Sequence, residues 1–149
     1  MLEEKIMEKL FVNYLTSLYQ NACVALQSIE DIMSKVQDEA LKQELSNEYT
    51  RYDLIAKECE MLGKSEDINL KDNNWFEKIK LWGAINMSII SDKTTRHIAE
   101  MMLQGTVMGL IQCLKDIKDY KAVSKDLDDI CEKLSNLQEE NYQNLKRYI

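Results

Sequence analysis

Few side chains in this sequence are suited to chemistry. His97 is the sole histidine, and Glu100 follows it one helical turn later. Residues three apart on a helix share a face, so His97-x-x-Glu100 would aim an imidazole and a carboxylate the same way. On another segment, Glu48 falls in an apolar stripe between Leu45 and Tyr52. Glu48, His97 and Glu100 together make a candidate site for a divalent metal, iron or manganese, because imidazole and carboxylate are the donors such ions take. The simpler use of the same groups is structural. Buried polar side chains hydrogen-bond each other, with Glu48 to Tyr52 and His97 to Asn21 or Asn141 as natural pairings. A network of that kind would help to fix the helix register. Cys23, Cys59, Cys113 and Cys131 lie far apart on or beside apolar stripes, as small buried hydrophobes do, which weighs against zinc or disulfide frameworks. The chain has no Gly-rich phosphate loop, nucleophile elbow or Cys/His dyad.

The elements that must position these groups are helices. The 149 residues contain no proline and only four glycines, and 45% are hydrophobic. So few turn-forming residues exclude an all-β fold, and a chain of this length can bury a core as one domain, residues 1–149. Phe11, Leu15, Leu18, Ala22, Ala25, Ile29, Ile32 and Val36 form a first stripe at helical spacing. Leu41, Leu45, Tyr52, Ile55, Cys59 and Leu62 form a second, ending at Gly63 as a C-terminal cap. Asp38 is an N-cap candidate between the two, with one continuous helix through Val36 as the alternative.

Residues 63–74 read as a loop. Asn74 and Glu77 resemble a capping box opening a short helix over about 75–90, and Ser91-Asp92-Lys93-Thr94 carries the next cap chemistry. A third main helix then covers 94–118. After a turn at Asp119–Tyr120, a fourth helix runs to the end on Val123, Leu127, Ile130, Leu134, Leu137, Asn141, Leu145 and Tyr148. Short links make helices 1 and 2, and helices 3 and 4, antiparallel hairpins. The long link between helices 2 and 3 can traverse the bundle and leave those two parallel, the ferritin-like arrangement. Trp75, Phe76 and Trp82 would anchor the crossover helix against the bundle or a second subunit. In Gly105-x-x-x-Gly109, close helix approach in the core is the expected role.

Nineteen basic against twenty-six acidic residues give a net charge of −7. Without a basic stripe, nucleic acid and anionic membrane surfaces are excluded as partners. The longest apolar runs, such as Ala22–Leu26, are too short to span a bilayer. The first residues lack a signal-peptide pattern, and with unpaired cysteines the expected location is cytoplasmic.

The chain resembles ferritin-like proteins, in particular uncharacterised bacterial families of that superfamily. The likeness rests on the first hairpin, Gln20-Asn21-Ala22 through Glu44–Leu62, and on Ile98-Ala99-Glu100-Met101-Met102-Leu103-Gln104-Gly105 in helix 3. The resemblance implies an all-α, four-helix bundle with a long crossover. In the di-iron members, two helices each give a Glu and two each give a Glu-x-x-His pair. One histidine cannot complete that set. Helix 2 offers Glu48-x-x-Arg51, helix 4 offers Gln138-Glu139-Glu140-Asn141, and helix 1 offers Gln20, Asn21 and Gln27, amides that bring no negative charge to a metal. The expectation is therefore a non-catalytic bundle without a cofactor, acting by self-association as a homo-oligomer, a dimer, or by binding a partner. The alternative is a redox protein with the reduced metal site on Glu48, His97 and Glu100.

Overall fold

The computed structural model describes residues 1–71, 75, 77–81 and 92–149. Among the described residues every regular element is helical: α1 (Leu2–Met33), α2 (Glu39–Ser65), α3 (Thr95–Asp119), α4 (Lys125–Leu145) and a closing 3-10 turn (Lys146–Tyr148). Residues 75 and 77–81 are also helical, within the connection from α2 to α3. Asn74, Phe76, Trp82, Ser91 and the rest of the expected crossover helix lie outside the described residues.

Side-chain capping chemistry sets the starts of three helices. Asp38, Thr94 and Ser124 each hold an extended backbone and accept a hydrogen bond from the backbone N–H three residues on, at Leu41, His97 and Leu127. Each satisfies an amide that the helix itself leaves unpaired. The cap at Asp38 settles the break between α1 and α2, with Val36 buried in the turn between them.

The expected stop at Gly63 is corrected by the structure. Gly63 is a buried residue inside α2, and the helix runs two residues further, to Ser65. Its end is a Schellman arrangement in which Ile68 N–H donates to Gly63 O (2.7 Å) and Asp67 N–H to Lys64 O (3.2 Å). The left-handed residue that this turn needs is Asp67, at φ 58°. Aspartate is among the few side chains that tolerate that conformation.

Contacts between named side chains give the helix directions. Tyr19 donates to Glu60 and Tyr49 to Glu30, both at 2.6 Å, so α1 and α2 run antiparallel. Ser17 with Asp116 and Asn21 with Gly109 make α1 and α3 antiparallel as well. α2 and α3 are therefore parallel, as a long connection between them requires. Arg51–Glu140 (2.8 Å) and Lys133–Glu58 (2.9 Å) join α2 to an antiparallel α4. Tyr14 with Asp128 and Asn21 with Gln138 place α4 parallel to α1.

The inward stripes meet in a core of Leu15, Leu18, Ile29, Ile32, Leu41, Leu45, Ile98, Leu127, Leu134 and Leu137, among others. Trp75 packs edge-on against Tyr19, ring centroids 6.2 Å apart, which seats the start of the connecting helix on the α1 side of the bundle. Toward the same end of the bundle, Tyr14 stacks on Tyr120 at 4.9 Å, against the turn between α3 and α4.

Candidate functional site

A groove lies between α1 and α3, and its floor reaches α2 and α4. It encloses about 530 Å³, within the range of small-molecule sites. Val24, Ala25 and Ile29 line it from α1, Met101, Met102 and Met108 from α3, and Glu48, Tyr52 and Gln138 from α2 and α4.

The two glycines of α3 that face this groove have different roles. A Cβ at Gly109 would come within 2.3 Å of Gln138 Nε2 and 2.8 Å of Asn21 Oδ1. The close approach expected for the glycine pair is found there. It admits a cross-bundle amide chain: Gln138 donates to Asn21 (2.8 Å), Asn21 donates to the Gly109 carbonyl (2.9 Å), and the Cys113 thiol contacts the Gln138 carbonyl oxygen (3.4 Å). At Gly105 a Cβ would meet nothing within 4 Å. Gly105 leaves open the space that makes the groove.

Glu48 is the chemically unusual member. It is only 2% exposed, and its Oε2 is buried without a hydrogen-bond partner. Burial pushes its pKa up to about 10, a side-chain hydrogen bond with Glu44 and the Glu44 charge add to this, and Arg51 opposes it. Desolvation disfavours the charged form of an acid, so Glu48 is a neutral carboxylic acid at pH 7. The Asn141 Nδ2 is likewise buried and without a partner.

Asp116, one turn beyond the groove, is buried but satisfied by Ser17 (2.7 Å) and Gln112 (2.9 Å). All four cysteines are free and buried.

Of the three candidate ligands from the sequence, only Glu48 lies in the groove. His97 is half-buried in the first turn of α3, where Thr94 caps its backbone N–H, and Glu100 is exposed. Along α3, His97 lies roughly 18 Å from Gly109 and its amide chain, at 1.5 Å per residue. Among the described residues no three His, Cys, Asp or Glu side chains are grouped so as to hold a metal ion.

The buried polar network runs through Asn21, Cys113 and Gln138, and His97 takes no part in those hydrogen bonds. Of the amides noted on the first helix, Gln20 lines the groove and Gln27 donates to Asp31 within α1. Arg51 and Glu140 pair on the surface.

No protein family, curated protein or solved structure matches this chain. The residues must therefore carry the functional argument themselves. Among the described residues no helix is long and apolar enough to cross a membrane. Gly105 contributes to the groove by the absence of a side chain, which leaves no positive signal in the sequence. Sequence reading missed a second apolar stripe on α3, which borders the buried one. Leu103, Val107 and Leu110 are partly exposed, Ile117 is exposed, and Leu114 is 55% exposed.

Proposed function

We propose that this chain is a ferritin-like helical bundle without catalysis of its own, which acts by self-association as a homodimer through the outward face of α3. The ferritin-like assignment is supported by the parallel placement of α2 and α3 across a long connection. The non-catalytic reading is supported by the lone histidine and by the separation of Glu48 from His97 and Glu100.

One observation carries the self-association. Leu103, Val107, Leu110, Leu114 and Ile117 recur at spacings of four and three residues along the edge of the buried face of Ile98, Ala99, Thr106, Cys113 and Asp116, with Leu103 packed against the core and Leu114 and Ile117 exposed. Such alternation keeps a single apolar seam facing a partner helix. A helix that is apolar on both faces is one that is covered on both faces.

Charge favours a second copy as the cover. Glu100 lies exposed near one end of the seam, and Lys115 and Lys118 near the other. No ion pair among the described residues uses them. An antiparallel, two-fold pairing of α3 with itself brings the opposite charges together at both ends.

Size-exclusion chromatography with light scattering tests this. The expected result is a dimer at micromolar concentrations that Leu114→Glu converts to a folded monomer, since Leu114 lies outside the core. A wild-type monomer under the same conditions overturns the reading.

A further inference from the structure

We propose that the groove between α1 and α3 binds a small amphiphilic amine, its apolar body among the methionines and its ammonium on the Glu48 carboxylate. The floor supplies the polar end. Glu48 is nine-tenths buried and more, it lines the groove, and its Oε2 has no partner within the protein. A buried polar atom without a partner costs free energy that a bound ligand can recover.

The other lining side chains decide the sign of the ligand. Apart from Glu48 and the Tyr52 phenol none is ionisable, and neither Lys, Arg nor His faces the space. An anion would find no counter-charge there. A cation would find its partner, in a chain whose net charge of −7 already draws cations. As the ammonium arrives, the Glu48 proton leaves to solvent, so a cation replaces a proton and the charge balances.

The walls supply the apolar end. Met101, Met102 and Met108 are flexible thioethers able to fit bodies of different shape, and Met108 and Val24 stand exposed at the rim. Gly105 keeps the middle of the groove open. The proposal concerns a separate surface from the α3 seam and does not depend on it.

The test is calorimetric titration of the whole protein with three probes sharing one chain length: octylamine, octanol and octanoate. Octylamine is expected to bind one per chain and octanoate not to bind. Glu48→Gln keeps the shape but not the charge, and removing one partner of a buried ion pair should weaken octylamine about thirtyfold or more while leaving octanol unchanged. Gly105→Leu places a side chain into open space and should abolish octylamine binding with the helical circular dichroism retained. Absence of octylamine binding to the wild type, octanoate or octanol binding as tightly as octylamine, an unchanged octylamine affinity in Glu48→Gln, or binding that survives in Gly105→Leu would each overturn the proposal.

Discussion

Replacing Glu48 with glutamine should stabilise the protein at neutral pH and do so progressively less as the pH falls. In the folded chain the carboxyl is held neutral, its pKa raised to about 10 by burial, with Glu44 adding and Arg51 opposing. In the unfolded chain it ionises near 4.5. A raised acid pKa means that the native state binds more protons than the unfolded state, so stability falls as pH rises between the two values. The contribution is intact below about pH 4.5 and is eroded by about 1.4 kcal/mol for each pH unit above it. From pH 4.5 to 7.5 that amounts to about 4 kcal/mol, a large part of the 5–15 kcal/mol that holds a typical domain folded. Glutamine is close in shape and has no proton to lose. Urea unfolding of the two proteins at pH 4.5, 6 and 7.5 measures the difference directly, since every other titrating group is common to both. The gap between variant and wild type should widen with pH at close to that slope. Parallel curves would refute the reasoning, because they would mean that Glu48 ionises in the folded protein as readily as in the unfolded chain.

The glycines of α3 should respond with opposite signs. Gly105→Ala should stabilise by about 0.5–1 kcal/mol, the helix-propensity gain with nothing in the way, whereas Gly109→Ala should destabilise by about 1–2 kcal/mol, because its methyl breaks the Asn21–Gln138 bridge and leaves buried amides unpaired; urea midpoints decide both. Ala122 holds φ 63° in the α3–α4 turn, so Ala122→Gly should stabilise by about 0.5 kcal/mol, seen as a raised Tm, as left-handed strain is released against the greater flexibility of the unfolded chain. Protein expressed with added iron, manganese and zinc and purified without chelators should carry no stoichiometric metal by mass spectrometry. One equivalent per chain that His97→Ala removes without unfolding would overturn the non-catalytic reading.

What the sequence made legible follows from locality. Asp38 and Thr94 could be read as caps because a capping side chain bonds an amide only three residues away. The inward stripes were legible because helical periodicity depends on the chain alone. Gly63 misled because glycine marks a helix end only where the backbone turns left-handed, and here that place went to Asp67. Gly105 and Gly109 look identical in sequence, yet one faces Gln138 and Asn21 and the other faces open space. That distinction belongs to residues that lie far away along the chain. His97 drew notice as the lone imidazole, but position in a helix is not depth in a bundle. Its place in the first turn of α3 follows from the Thr94 cap, and only the packing shows that the amide chain forms further along the helix. Glu48 stood out by its place between Leu45 and Tyr52, but its missing partner could be seen only once Tyr52, Gln138 and Asn141 were in place around it.

The energetics of Glu48 bear on what the groove is for. A leucine or methionine at the same position would bury apolar area and avoid the pH-dependent loss, since well-packed apolar residues often match or exceed buried ionic groups in stability. The amide chain of Asn21 and Gln138 already supplies directional contacts across the bundle, so helix register does not require Glu48. A buried acid that costs stability at neutral pH, with one oxygen unpaired and a place in the lining of a groove, breaks the rules that the rest of the core obeys. Such local violations are expected where a protein does its work. A neutral carboxyl can pair with a donor or with an acceptor, but only a cation restores the charge that burial suppresses. The same apolar surroundings that raise the Glu48 pKa in the empty groove would strengthen its attraction to an ammonium in the filled one.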